Sequence, residues 1–575
     1  MKFIKKQFII LTALLTFISM PAWASNENLR IDVLGLKGAV LQNVQTRLDI
    51  IKSSYDSALS PSTIQQFYKA APKNIKDALE PYGYFKSNIH SQLLHKDQLW
   101  IASFMIDKGP PLRITKLDVQ LSGPGQNDAE LQKFINHFPL SQGKIFSSEK
   151  YELAKQQFFT LANNQGYLKA YFEKKIISID LKNYTSVIVL HFNTGPRYYF
   201  GEISFDQKTF SDEFLRRFLP FHSGDPFSSD SVLTLQQNLT NSHYFSDVNV
   251  VPAFPQEKIY QIPVGVKLKA NKSQQYNIGV GYGTFTGPRV TLGANFRHLT
   301  DTGHHIEMKM RASDIQQGLA GQYVIPGQNP LTDQYMLGIN GERFLPKNGT
   351  STSGTVFIGQ VKELYGWKEA ATLNYLREHY DIFEDPTSHN SRILYPSLDL
   401  SRTQSDNAAN PTSGYKVSLN LRGSTKKIAS NVDFVQTELK AKILLKPTKN
   451  SRVILLGNFG YTTVQNLMML PLSLQFFAGG LESVRGYPTS YFGPGRYKKI
   501  ASMEVQHKLI GDLYGAAFYD VGIASNHINS AMARGKGVGL VYNSVVGPIR
   551  LYRGFGYRQG TKSYKTIEFS IGSYL

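Results

Sequence analysis

Hydrophobic and polar positions follow two rhythms along this chain, and the change falls near residue 270. From residue 275 to 575 apolar and polar residues alternate with the period of two that sends successive side chains to opposite faces of a strand. Ile306, Met308 and Met310 interleave with His305, Glu307, Lys309 and Arg311; Val435, Thr437, Leu439, Ala441 and Ile443 interleave with Gln436, Glu438, Lys440 and Lys442. Ala501, Met503 and Val505 alternate in the same way with Ser502, Glu504 and Gln506. A face so charged, opposite one so apolar, predicts a transmembrane antiparallel β-barrel with its apolar face in lipid and its charged face in a polar lumen. At about 9 to 11 residues per crossing plus a connection, the segment holds about 16 strands.

Before residue 270 the spacing is helical in places and repeats at intervals of roughly eighty residues. Tyr151, Ala154 and Phe158 are matched by Val232, Leu235 and Leu239 at i, i+3, i+7, each set forming one apolar helix stripe. Gly143-Lys144-Ile145-Phe146-Ser147-Ser148-Glu149 precedes the first and Gly224-Asp225-Pro226-Phe227-Ser228-Ser229-Asp230 the second. The serines can cap exposed N–H groups, and the acid suits the positive helix end. Aromatic exits follow at Tyr84-Phe85, Tyr167 and Tyr244-Phe245, while Gly109-Pro110 and Gly195-Pro196 close the first two repeats. Asn43 is expected to cap a helix bearing Val44 and Leu48. The expectation is three tandem β-α-α-β-β modules of α+β type, at 28–110, 111–196 and 197–270.

Residues 1–24 read as a secretory signal, because Lys2, Lys5 and Lys6 precede the apolar run Phe8 to Met20 and Ala22-Trp23-Ala24 supplies a cleavage site. Cleavage lowers the formal charge from +20 to +17 by removing those three lysines. No later stretch reaches the ~18 apolar residues of a membrane helix. The chain has no cysteine, so an exported protein relies on burial rather than disulfides. Export makes nucleic acid an improbable counter-charge and phosphate-rich lipid headgroups a natural one. No nucleophile elbow, zinc-binding helix, P-loop or Cys/His set is present, which argues against an enzyme and against a metal or cofactor. His304-His305 is expected at a loop-to-strand boundary.

The order of elements in each N-terminal repeat resembles the polypeptide-transport-associated (POTRA) domain. In the barrel half, a long connection runs from Phe476-Phe477-Ala478-Gly479-Gly480 to Val484-Arg485-Gly486-Tyr487-Pro488. The tetrapeptide Val484, Arg485, Gly486, Tyr487 is similar to the [V/I]-R-G-[F/Y] signature of the outer-membrane assembly and two-partner-secretion superfamily. Gly281-Tyr282-Gly283, Gly287-Pro288-Arg289-Val290 and the ending Ile571-Gly572-Ser573-Tyr574-Leu575 resemble its TamA-like branch. Gly547-Pro548-Ile549-Arg550 also fits the superfamily, whereas Tyr552, Arg553 and the terminal Leu575 depart from it. The resemblance implies a loop folded into the lumen, with Arg485 meeting an inward Asp520 in the strand Phe518-Tyr519-Asp520-Val521-Gly522. Alternation agrees, placing Phe518, Asp520 and Gly522 inward. It further implies residence in the bacterial outer membrane with the modules in the periplasm, and insertion or secretion of clients such as autotransporters. An inner-membrane-anchored TamB-like partner, unfolded outer-membrane clients, and outer-membrane lipids including lipopolysaccharide are the implied partners. A two-partner-secretion transporter and a porin-like channel are the alternatives.

The first barrel strand, Tyr276 to Gly283, carries Gly279, Gly281 and Gly283 on one face, and the last one, with Phe569, Ile571 and Gly572, stops at the chain end. Glycine weakens a strand or lets another backbone approach closely. Both readings stand: a seam that parts sideways, or ordinary closure with tight lumen packing.

Overall fold

The computed structural model describes residues 28–571 apart from 56–59, 97–98, 255–259, 384, 386, 408–410, 545–546 and 561–562. The expected signal segment 1–24, Gly572 and Leu575 lie outside the described residues.

The first module comprises β1 (Leu29–Leu34), α1 (Gly38–Ser53), α2 (Pro61–Leu79), β2 (Asn88–Lys96) and β3 (Leu99–Asp107). Its sheet runs β1-β3-β2, with β1 parallel and β2 antiparallel to β3. Ile64, Phe67, Ala71 and Ile75 form the buried stripe of α2 and pack on Val44 and Leu48 of α1 and on Ala102, Phe104 and Ile106 of β3. Asn43 does not cap this helix. α1 begins at Gly38, and Asn43 lies inside it, donating from Nδ2 to the Ala78 carbonyl at 2.9 Å. A residue type suited to a cap is used instead to tie one helix to the next.

The second module repeats the plan with β4 (Arg113–Ser122), α3 (Ala129–Asn136), α4 (Ser148–Asn164), β5 (Tyr171–Asp180) and β6 (Thr185–Asn193), in sheet order β4-β6-β5. Ser147 caps α4 by accepting from the Lys150 N–H, and Phe158 stacks on Phe192 with ring centroids 4.8 Å apart. The third module has β7 (Tyr199–Asp206), α5 (Asp212–Arg216), α6 (Ser229–Asn241), β8 (Phe245–Pro252) and β9 (Gln261–Ala270), in sheet order β7-β9-β8. Ser228 accepts from the Ser231 N–H at 3.3 Å at the start of α6, as the repeat predicts.

From Gln274 on, sixteen described strands close into an antiparallel barrel. Its outer face is a band of exposed apolar side chains such as Leu337, Ile339, Val356 and Ile358, where Leu337 pairs with Ile358 and Ile339 with Val356. Cross-strand apolar pairs on one face and polar ones on the other fulfil the period-two pattern. The turn after the second strand, Gly287–Phe296, docks into the third module: Ser211 N–H donates to the Asp301 carbonyl at 2.9 Å and the Tyr244 hydroxyl to the Gly303 carbonyl at 2.6 Å. Burial there pushes the Tyr244 phenol well above the usual tyrosine range. His304 sits in this turn and His305 opens the next strand, as expected.

Candidate functional site

Between strands Ser451–Val464 and Tyr497–Ile510 the chain does not turn back at once. Residues 465–496 instead fold against inward-facing side chains of the barrel, because their apolar residues have a core to enter. Val484, Tyr487, Phe476, Ala478 and Phe492 cluster with Ile500, Ile523 and Ala524 of the wall. Tyr487 is almost fully buried against Tyr491, Phe492 and Tyr564.

Arg485 is the bolt. Its Nε and Nη2 donate to the two oxygens of Asp520, each at 2.8 Å, and its backbone N–H donates to Asp520 Oδ2 at 2.9 Å. This is the bidentate geometry that a guanidinium forms and an ammonium cannot. Nη1 meets Glu504, Nη2 reaches Ser502 Oγ at 3.2 Å, and the guanidinium lies 3.7 Å from the Phe518 ring centroid. Asp520 is completely buried and Arg485 only 5% exposed. Two carboxylates around one guanidinium compensate a charge that would otherwise be costly to bury. Tyr552 donates to Glu504 Oε1 at 2.9 Å, so the position that departs from the superfamily pattern joins the same network. At Gly522 an added Cβ would lie 2.6 Å from the Lys499 carbonyl of the adjacent strand.

Gly486 has φ +89° and an added Cβ would sit 2.7 Å from the Gly556 nitrogen, so only glycine lets the loop backbone lie on the wall. Its N–H donates to Glu568 Oε1 at 2.7 Å, which links the loop tip to the last barrel strand, Tyr564–Ile571. A second anchor lies further back. Glu378 Oε1 accepts from Ser473 N–H at 3.0 Å and from Ser351 Oγ at 2.8 Å, while Gln436 Nε2 donates to the Leu474 carbonyl at 2.8 Å. Glu504, Glu568 and Glu378 were not singled out from sequence, although alternation had already put Glu504 on the lumen face.

The closing junction is short. The first strand, Gln274–Gly283, shares with the last only the pairs Tyr282↔Ile571 and Gly283↔Ser570 among the described residues, against ten pairs with the second strand. Thr284 adds three bonds: its N–H and Oγ1–H donate to the Phe569 carbonyl at 3.0 and 3.4 Å, and its Oγ1 accepts from Phe569 N–H at 2.8 Å. Arg289 reaches over the glycine face to Ser570 Oγ at 3.4 Å and to the Ile571 carbonyl at 3.2 Å. A Cβ on Gly281 would lie 2.7 Å from that same carbonyl, while Gly279 faces Thr291 and Gly283 faces Thr286. Below the junction Tyr276, Ile278 and Val280 are 65%, 76% and 74% exposed on the outer face. Among the described residues no group of three His, Cys, Asp or Glu side chains could hold a metal ion.

Small α/β modules followed by a sixteen-strand barrel with a bolted internal loop define an outer-membrane protein: the barrel anchors it and the modules lie on the periplasmic side. Residues 261–574 match the Omp85 superfamily domain, so the chain belongs to the Omp85 superfamily. Residues 30–108 match the POTRA domain described as TamA domain 1, and 198–270 match the surface antigen variable number repeat. The chain is 22% identical over 264 residues to the outer membrane protein assembly factor BamA of Buchnera aphidicola, covering 43% of this chain and 41% of that one. Over 417 residues it is 22% identical to BamA of Nitratidesulfovibrio vulgaris, covering 64% and 50%. The match thus spans half or less of either relative's length. Among solved structures, BamA from Haemophilus ducreyi lacking POTRA domains 1–3 superposes with a TM-score of 0.64 at 16% identity, covering 80% of this chain and 99% of that one. That likeness is one of fold.

Proposed function

We propose that this chain is a translocation and assembly factor of the TamA type, which helps clients such as autotransporters enter or cross the outer membrane. The junction between the first and last strands, with two pairs among the described residues, carries this reading. A barrel stabilises itself by leaving no edge. Here the first strand presents most of one edge to no described strand, and an extended client segment could add to it as a strand. The Arg485–Asp520 pair, on a strand three removed from the last one, holds the loop to the wall while that edge changes partner. The match of the first module to TamA domain 1 supports this branch and, with it, an inner-membrane-anchored TamB-like partner engaged through the modules. Lipids of the outer membrane, lipopolysaccharide included, surround the seam.

The reading is tested in cells lacking the protein, by following an autotransporter's passage from unfolded to heat-modifiable barrel. Restoration by the wild-type chain, and failure when residues 28–110 are removed from a barrel that still migrates as folded, are expected. Normal client assembly in the deletion strain, with conductance in planar bilayers as the sole activity, would instead make the protein a channel.

A further inference from the structure

A cavity of about 710 Å³ lies in the lumen between the loop tip, the seam and the wall formed by strands Gly414–Ser424 and Phe434–Thr448. Among the described residues lining it, Arg289, Lys416, Lys440, Lys442, Lys498 and Arg550 are cationic, whereas Glu482 and Glu568 are the acids. The acids at hand are already engaged. Glu482 meets Arg550 Nη1 at 3.1 Å, Glu568 accepts from Gly486, and Glu438, behind the wall lysines, meets Lys440 at 3.3 Å and Lys498 at 3.2 Å.

Lys416 is the direct ladder partner of Lys442, and Ser418 that of Lys440. Direct partners share a face with Cα atoms roughly 5 Å apart, and like charges so placed destabilise a sheet. A lumen wall need not be of one sign: beside the first strand Glu307 stands with Lys309 and Arg289 among Asn277, Thr291, Asn295 and Gln322. Lys440 and Lys442 are two residues apart on one strand, about 7 Å, which is the spacing at which an extended chain presents alternate side chains. A single phosphate would be held by donors converging on one point. These lysines are arrayed along a line.

We propose that this chamber binds an extended polypeptide segment carrying carboxylates at alternate positions. Resting on the assembly reading above, the proposal also gives Arg289 a positioning role. Its guanidinium lines the same chamber and holds the end of the last strand, so a carboxylate arriving there competes with Ser570 and the Ile571 carbonyl and loosens the seam.

The test uses the full-length protein in detergent and a short fluorescent peptide alternating Glu with Val, compared with its Gln counterpart. The Glu peptide should bind, and binding should weaken by about tenfold in Lys440→Gln/Lys442→Gln and in ~0.5 M salt. The Gln peptide should bind about as weakly as that. Heat-modifiable migration verifies the fold, and the single variant Lys416→Gln serves if the double variant does not fold. Equal binding of the two peptides, or wild-type affinity in a folded lysine variant, would overturn the proposal. Tighter, lysine-dependent binding of tripolyphosphate, or displacement of the peptide by phosphatidylglycerol bicelles alone, would reassign the site to phosphate. Full client assembly by a variant that no longer binds peptide would remove the chamber's role and leave the assembly reading intact.

Discussion

Two junctions of the same barrel are built to different standards. Strands Tyr497–Ile510 and Leu513–Ser525 pair along nearly their whole length, from Tyr497↔Ser525 to Ile510↔Leu513, and the Arg485 network lies across them. Among the described residues, the first and last strands share two pairs, the Thr284 bonds and Arg289. With a net contribution of about 0.5–1.5 kcal/mol per hydrogen bond, the described bonds of the closing junction are worth a few kcal/mol. That is within the range that a few new strand bonds to the proposed client segment would offset. The bolted wall is not, because breaking it also strands buried charge. On the reading proposed above, the wall under the Arg485 network holds its shape while the closing junction, three strands away, exchanges partners.

The largest effect should come from making the weak junction permanent. The chain has no cysteine of its own, so Tyr282→Cys with Ile571→Cys introduces one pair at direct ladder partners. Oxidation should stop client assembly and reduction should restore it, with folded-barrel migration unchanged throughout. Full assembly by quantitatively cross-linked protein would mean that clients do not use this seam.

Breaking the strong wall comes next. Arg485→Ala leaves Asp520 and Glu504 buried without their cation, a loss of about 3–5 kcal/mol in loop docking. Limited proteolysis should then cut within 465–496, and client assembly should fall. Arg485→Lys keeps the charge without the bidentate fork, and its loop should be intermediate in protease sensitivity. A loop as resistant in Arg485→Ala as in the wild type would show that the network does not hold it.

Smaller changes bear on the seam itself. Gly281→Ala puts a Cβ 2.7 Å from the Ile571 carbonyl, so the last strand must shift, at about 1–3 kcal/mol. Raised conductance in planar bilayers and a lower temperature for loss of folded-barrel migration are expected. Thr284→Val removes the acceptor for Phe569 N–H and should cost about 1 kcal/mol, seen as a slight fall in the same temperature. If the glycine substitution left both readings unchanged while the threonine one moved them, Thr284 rather than close packing at Gly281 would set the junction's strength.

Sequence and tertiary structure divide the rest between them according to the range of the forces involved. The alternation that put Ser502, Glu504, Phe518 and Asp520 inward needed only the two-residue period of a strand, and the stripe Tyr151, Ala154, Phe158 needed only the helical one. Arg485 and Asp520 could be joined in advance because a loop signature and a strand signature occur together in one superfamily. Nothing local marked Glu568 or Glu378, since each becomes a partner of Gly486 or Ser473 only after the loop has folded across the lumen. Asn43 shows the same limit at short range: its type suited a helix cap, yet the neighbouring helix supplied a better acceptor at Ala78. Glycines at 279, 281 and 283 were compatible with a weak seam or with tight packing, and alternation has no means of choosing. The structure gives Gly281 close packing against Ile571 and sets Tyr282 opposite Ile571, because the alignment of the last strand on the first depends on the register accumulated around the whole barrel.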